Sequence, residues 1–539
     1  MHSADGRFVI SYNGEIYNHA ELRRNLSASG VTATFRGRSD TETLLAACTA
    51  WGVEEAVRRC NGMFAFALWD RQLRTLHLVR DRLGIKPLYW GQVSGGDVFF
   101  ASELKGLLAL QTVRPELDPD ALQEFLHYGC VPAPRSIYRG ISKLLPGTIL
   151  TCRAGDAPVL TCYWSLASAV NVPRAAELPG AVEDLDDLLR TVVRDHLLAD
   201  VPVGAFLSGG IDSSLVAALM QQVGSQPART FSIGFAEASH DESAHAAEVA
   251  RCLGTEHTEL RITPAAALAV IPELPGLYDE PFADSSQIPT CLLARLTRAQ
   301  VTVALSGDGG DEAFAGYNRH VYSQSLLQPA LQVPHLFRRC TAGLLDTVTP
   351  GSWDVLARYL LPGAVRLRQA GDKVHKLAAV LRAPAEEVYA QLLATWPEAN
   401  RYIRGAGIRR TAFGDAATLA ALAGMGERLQ YLDAAVYLPD DVLVKVDRAT
   451  MAVALECRVP LLDHRVIEAA WRLPWSLRVR GLTGKWLVRQ VLERYVPRRL
   501  FARPKSGFSV PLADWLRGGL RDWAESMLDP VRLDAVGML

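Results

Sequence analysis

Lysine is scarce in this chain. Of 57 basic residues only 8 are lysine, so arginine serves wherever a generic positive charge is enough. The remaining lysines mark places that want a compact point charge or a titratable amine: Lys86, Lys105, Lys143, Lys373, Lys376, Lys445, Lys485 and Lys505. Net charge is nearly absent too, with 57 Lys+Arg against 58 Asp+Glu. There is no global positive field to hold nucleic acid and no long like-charge block. Apolar runs such as residues 301–305 are far too short to span a bilayer. The opening Met1-His2-Ser3-Ala4-Asp5 has no basic segment before an apolar one, so no signal peptide is expected. Nine cysteines are scattered without a Cys-x-x-Cys pair, which indicates neither a disulfide framework nor a zinc ribbon. No internal repeat is found. What remains is ordinary globular composition, 49% hydrophobic and 21% charged over 539 residues, long enough for at least two domains. The expectation is a soluble, cytoplasmic, multidomain protein that binds neither nucleic acid nor membrane.

The first stretch reads as β-rich. Residues 8–12 are apolar and run into Asn13-Gly14, a strong turn signal. Residues 63–69, 75–79, 98–101 and 148–152 are further short strand candidates. Ser39-Asp40-Thr41-Glu42 has the capping-box form and announces a helix. Residues 171–180 carry two prolines and little periodicity, the mark of a linker. Beyond it the grammar is strand, Gly-rich turn, helix: strands at 203–207, 230–235, near 257–260 and 301–305, and helices at 181–198, 215–220 and 243–253. This is the pattern of a parallel sheet with ligands at the strand C-termini. The region beyond residue 322 reads as mostly helical.

Two turns carry the chemistry. In Ser208-Gly209-Gly210-Ile211-Asp212-Ser213-Ser214, glycines let backbone N–H groups approach an anion, hydroxyls add donors, and the following helix offers its positive end. It is not the Walker form; it resembles the pyrophosphate-binding loop of ATP pyrophosphatases. In Ser306-Gly307-Asp308-Gly309-Gly310-Asp311-Glu312, three carboxylates on one turn repel unless a cation neutralises them. Were both turns at one sheet edge, Asp212 and Asp311 could share Mg²⁺ with a departing pyrophosphate. A solvated acidic turn is the alternative for the second.

Read with Asn13-Gly14-Glu15-Ile16-Tyr17-Asn18, Arg80-Asp81-Arg82-Leu83-Gly84-Ile85-Lys86-Pro87, Asp279-Glu280-Pro281-Phe282-Ala283-Asp284, Leu443-Val444-Lys445-Val446-Asp447-Arg448 and Glu456-Cys457-Arg458-Val459-Pro460, these turns make the chain resemble the glutamine-hydrolysing asparagine synthetases over nearly all its length. Lys86, Lys105, Lys445, Lys485 and Lys505 fall in or near such matched strings.

The resemblance implies an α+β class-II glutamine amidotransferase domain at 1–165, with a layered Ntn-like β-sheet, a linker at 166–180, and an α/β ATP-pyrophosphatase domain with a parallel sheet and a large helical extension at 181–539. It implies amidation of aspartate through a β-aspartyl-adenylate, with ATP and Mg²⁺. Asn13 and Gly14 would build an oxyanion hole, and Glu15 with Asp40 would hold the glutamine head group, although Asn13-Gly14 also suits a hairpin and Asp40 a helix start. Leu207, Ile233, Ser306 and Gly307 would surround adenine and ribose. Ser208, Gly209, Gly210, Asp212, Ser213 and Ser214 would hold pyrophosphate, with Asp212 and Asp311 on the metal. Asp308 would support adenylate formation, and Lys485 would neutralise the transferring phosphate; the alternative for Lys485 is a surface lysine after a Gly turn.

Relatives open with Met-Cys-Gly, whose exposed cysteine is its own base. This chain is expected to lack that nucleophile and to be shortened at both ends, and its nine cysteines read as small buried hydrophobes. Nitrogen would then come from glutamine in the complete protein and from ammonia in these residues. The alternatives are a related synthetase acting on another carboxylate, as β-lactam synthetases or polysaccharide-pathway amidotransferases do, and a catalytically silent paralogue. The histidines His240, His245 and His257 lack metal-ligand spacing. A homodimer is left open.

Overall fold

The computed structural model describes residues 1–30, 35–93, 96–110, 112–172, 179–235, 241–360, 370–407, 413–503 and 510–537. Its first part is built from antiparallel strands: β1 (Phe8–Ile16), β2 (Gly62–Asp70), β3 (Thr75–Arg80), β4 (Tyr89–Gln92), β5 (Val98–Ala101), β6 (Ile141–Lys143), β7 (Thr148–Arg153) and β8 (Val159–Cys162). They form a five-stranded sheet, β1-β2-β3-β7-β8, and a three-stranded one, β5-β4-β6. Alternation along β2 sets the layers. Phe64, Phe66 and Leu68 face helices through Leu22, Leu26, Leu44 and Leu45. Ala65 and Ala67 face Leu88, Trp90 and Phe100 on the other side. Both faces are buried, so the strand reads as an unbroken apolar run.

One expectation is corrected here. Asn13-Gly14 is not a turn: β1 runs through it, with Asn13 opposite Ala65 and Gly14 opposite Phe64 on β2. Gly14 is required by close approach, because a Cβ there would lie 2.1 Å from the Met63 carbonyl oxygen. The helix announced by Ser39 is present at Asp40–Trp51, capped by the Ser39 side chain accepting from Thr41 N–H. Glu42, however, accepts from Arg36 and Gly37 N–H at 2.7 and 3.0 Å, so the box closes on the preceding loop. In the expected linker, Leu166–Val170 is a short helix with Leu166 and Val170 in the core, and residues 173–178 lie outside the described set.

The second part holds a fully parallel sheet of β9 (Val203–Phe206), β10 (Arg229–Phe235), β11 (Glu256–Ile262), β12 (Val303–Leu305) and β13 (Glu456–Arg458). The strand order is β11-β10-β9-β12-β13. The winding direction therefore reverses between β9 and β12, and a crevice opens at the C-terminal ends of those two strands. The region after residue 322 is mainly helical, as expected. In it, residues Asp433–Val442 form a π-helix containing Pro439, continued by the α-helix Leu443–Met451.

Buried charges join the two parts. Lys86 pairs with Asp447 at 3.0 Å and Lys143 with Glu280 at 2.7 Å. Asn61 donates to Asp463 at 2.9 Å, and all these side chains are buried. No helix among the described residues is long and apolar enough to cross a membrane.

Candidate functional site

The two Gly-rich turns meet at the switch point. After β9, Leu207 is buried and its N–H donates to the Phe231 carbonyl at 2.8 Å. The chain then folds back on itself. Ser208 and Ser213 hydroxyls lie 3.0 Å apart, Gly210 N–H donates to Ser208 Oγ, and Ser208 N–H donates to Ser213 Oγ. Gly209 has φ 71°, and a Cβ there would sit 2.8 Å from Ala246 N. The helix Ile211–Val223 starts immediately, directing its free N–H groups and positive end at the loop. Ser214 Oγ is buried with no hydrogen-bond partner among the described residues.

The second turn lies directly against the first. A Cβ on Gly307 would fall 2.6 Å from Ser213 N, and one on Gly310 would fall 2.4 Å from Asp212 Oδ1. Glycine at these positions is what lets the loops touch. Ser306 Oγ donates to Asp308 Oδ2 at 2.5 Å and accepts from Asp308 N–H at 3.3 Å, while Ser306 N–H donates to the Arg458 carbonyl on β13.

Lys485 ties the turns together. Its ammonium contacts Asp212 and lies 2.7 Å from Asp311 Oδ1. The residue is 4% exposed, so it is not the surface lysine of the alternative reading. It adopts a left-handed conformation, φ 54°, just before the helix Trp486–Leu492. Burial disfavours its charge, but Asp212 and Asp311 outweigh burial and raise its pKa. Gly316 makes room: a Cβ there would lie 2.1 Å from both Asp311 Oδ1 and Lys485 Cε. Sequence reasoning passed over Gly316. Ile233 is buried in β10 within the neighbouring apolar core.

Two glycine turns with serine hydroxyls, a helix N-terminus and a buried ammonium have the chemistry that suits polyphosphate. Asp212 and Asp311 are two carboxylates. Among the described residues no three His, Cys, Asp or Glu side chains are grouped to hold a metal.

The first constellation is assembled differently. Asp40 Oδ2 accepts from Tyr12 OH at 2.8 Å and Ile16 N–H at 3.1 Å, so β1 and the start of the helix Asp40–Trp51 are pinned together. Asn13 Nδ2 donates to Ser102 Oγ at 3.3 Å. Glu15 lies 3.6 Å from Arg458. Its pKa is pushed up to about 7, by burial first and by Asp40, Glu456 and Asp200, with Arg458 opposing. Arg458 thus touches Glu15 with its side chain and Ser306 with its carbonyl.

The cysteine expectation needs correction. Cys48, Cys60, Cys130, Cys152, Cys291 and Cys457 are buried, but Cys162, Cys252 and Cys340 are exposed, and none is in a disulfide. Burial pushes the Cys60 thiol up to about 12, with Arg82 opposing. His257 bonds the Thr230 and Ser232 hydroxyls, and His240 lies outside the described residues.

Residues 1–164 match the glutamine amidotransferase domain model and residues 184–539 match the asparagine synthase model. The chain belongs to the asparagine synthase family. Family members similar to it include asparagine synthetase [glutamine-hydrolyzing] 1 of Bacillus subtilis strain 168, 34% identical over 98% of this chain and 80% of that one. A putative asparagine synthetase [glutamine-hydrolyzing] of Mycobacterium tuberculosis H37Rv is 36% identical over 97% and 78%. At greater distance, amidase chyE of Penicillium rubens is 26% identical over 100% and 82%. With an amidotransferase part and an asparagine synthase part in one chain, the protein is a carbon–nitrogen ligase of the glutamine-hydrolysing type, in a family that uses ATP.

Two further residues near the asparagine synthase turns had no assigned role in the sequence reading. Lys445 pairs with Asp284 at 2.8 Å, and Arg503 pairs with Glu242 at 3.0 Å while donating to the Ser208 carbonyl. The scarcity of lysine could have found the first. Lys86, Lys143, Lys445 and Lys485 are all largely buried against carboxylates.

Proposed function

We propose that this chain converts aspartate to asparagine by adenylating the β-carboxylate and letting ammonia displace AMP. The observation that carries the reading is the Lys485 ammonium held between Asp212 and Asp311, where two glycine turns meet at the sheet's switch point. A carboxylate does not accept an amine until one of its oxygens becomes a good leaving group, and AMP provides that. Ser208, Gly209, Gly210, Ser213 and Ser214 would cradle the β- and γ-phosphates, with the helix Ile211–Val223 favouring the charge that builds on departing pyrophosphate. Leu207, Ile233, Ser306 and Gly307 would take the nucleoside. Lys485 would stabilise the transferring phosphate, and Asp308 would act on the acceptor carboxylate side. Asp212 and Asp311 would hold Mg²⁺, which when bound neutralises phosphate charge.

Asn13 and Gly14 would serve as an oxyanion hole, and Glu15 with Asp40 would bind the glutamine head group. Cys60, within electrostatic reach of Asp40, is buried and poorly ionised, so it does not offer a thiolate there. In this reading ammonia is the nitrogen donor for these 539 residues, and glutamine is the donor the test sets against it. The 26% match to a protein named an amidase favours, as a second reading, amide chemistry on a substrate other than aspartate.

The test is pyrophosphate release with ATP, Mg²⁺ and aspartate, using ammonium or glutamine as nitrogen donor, with chromatography of the products. AMP and asparagine with ammonium are expected. ADP as the only nucleotide product sinks the adenylation, equal rates with both donors sink the ammonia requirement, and turnover only with another acid establishes the second reading.

A further inference from the structure

Beside the phosphate cradle lies a second charged cluster. Asp284 stands just before the helix Gln287–Arg298. Ser286 Oγ donates to it at 2.7 Å, and Lys445 Nζ lies 2.8 Å from it. Asp441, at the end of the π-helical stretch, is one helical turn before Lys445, so the two share a face. Asp441 is 4% exposed, and its Oδ1 has no hydrogen-bond partner among the described residues. Burial and the facing Asp284 carboxylate push the Asp441 carboxyl up to about 8, with Lys445 and Arg319 opposing. Lys445 is held protonated against its own burial by Asp284, Asp441 and Asp308. Asp308 connects the cluster to the turn that meets the cradle.

A structural ion pair needs one carboxylate for one ammonium. Here the buried Asp441 and the half-buried Asp284 lie close to one lysine, which touches only Asp284, with Asp308 nearby, and Asp441 Oδ1 has no donor among the described residues. On its own, the cluster is balanced by keeping a proton on Asp441, and a small cation bearing N–H donors would take that proton's place. Lys445 is already in contact with Asp284, which suits an organic ammonium with its own carboxylate better than a bare metal ion.

We propose that Asp284, Asp441 and Lys445 form the subsite that grips the backbone of an amino-acid acceptor, its α-ammonium between the two carboxylates and its α-carboxylate on Lys445. The inference rests on the proposed amidation and adds how the acceptor is recognised. It also gives a reason for regiochemistry: with the α-carboxylate neutralised at Lys445, the side-chain carboxylate is the one left to point at Asp308 and the phosphate cradle. Sequence of charge along the filled site alternates, Asp441, ammonium, Asp284, Lys445, carboxylate.

The experiment is calorimetric titration of the 539-residue chain, held with a non-hydrolysable ATP analogue and Mg²⁺, with L-aspartate, succinate (no ammonium) and 3-aminopropanoate (no α-carboxylate). Wild type should bind aspartate at least about tenfold more tightly than either analogue, since each loses a charged contact. Asp441→Asn should erase the preference over succinate, and Lys445→Gln the preference over 3-aminopropanoate, with affinity for the ATP analogue unchanged. Equal affinity of wild type for aspartate and succinate overturns the inference, as does an Asp441→Asn chain that keeps the preference. If Asp441→Asn fails to fold, Asp284→Asn and the wild-type comparison decide it. Binding is read without turnover, so a chain that binds aspartate with this selectivity yet releases no pyrophosphate overturns the proposed function and leaves the subsite standing.

Discussion

The two proposed sites of this chain are made in opposite ways. In the amidotransferase part most of the proposed residues lie inside a strand. Asn13, Gly14 and Glu15 are consecutive residues of β1, pinned to Asp40 by Tyr12 and to β2 by a full antiparallel ladder. In the asparagine synthase part they lie on turns beyond strand ends, brought together because β9 and β12 are neighbours while about a hundred residues separate them in sequence. The first site is rigid because each residue has ladder partners. The second is held by glycines that allow contact and by Lys485, which links two carboxylates. A strand site fails by distortion of the sheet, a turn site by loss of a charge.

That contrast can be broken by substitution. Removing the ammonium by Lys485→Ala leaves Asp212 and Asp311 facing each other, and pyrophosphate release should fall by roughly 10²–10³. Binding of ATP should change much less, since the contact strengthens as charge builds. Pre-steady-state pyrophosphate release and equilibrium ATP binding measure the two parts, and a wild-type rate would return Lys485 to a structural role.

Gly14→Ala should act on the sheet instead. A Cβ 2.1 Å from a backbone oxygen forces β1 off β2, at a cost of about 1–3 kcal/mol or more. Chemical denaturation followed in the amidotransferase part should show the loss, while ammonia-dependent turnover by the folded fraction stays near wild type. Loss of turnover without loss of stability contradicts the contrast.

The join between the parts gives a stability effect at least as large. Lys86→Met strands the buried Asp447 carboxylate, and breaking a buried pair from one side costs about 3–5 kcal/mol. Limited proteolysis should then cut between the parts before it cuts inside either. A cleavage pattern identical to wild type would argue that the pair carries little of the interface.

The smallest effect concerns pH. Glu15 ionises at about 7, and a bound α-ammonium selects the ionised form. Below pH 7 binding must also remove a proton, so glutamine affinity should weaken as pH falls through about 7 and level off above it. Glu15→Gln should bind weakly without that slope. A flat wild-type profile between pH 5.5 and 8 would place the head group elsewhere.

Much of the asparagine synthase part was legible because strand-turn-helix leaves a local signature: 243–253 is a helix with the expected bounds, and both Gly-rich turns fall where a strand ends. Asn13-Gly14 misled because the same dipeptide serves a tight turn and a strand that needs a side-chain-free approach, and local sequence does not contain the partner strand. Lys445 was visible as a rare residue type inside a matched string, but its pairing with Asp284 was not, since 161 residues separate the two.

By itself the sequence determined the residue types, the two turns with their glycines and hydroxyls, and the economy of lysine. Those are local facts about conformation and charge. Only the tertiary structure decided that Asp212 and Asp311 share one buried ammonium, that β1 passes straight through Asn13-Gly14, and that Asp284, Asp441 and Lys445 stand together. Burial and charge balance are properties of what surrounds a group, and residues from 200 to 500 become neighbours only when the parallel sheet closes.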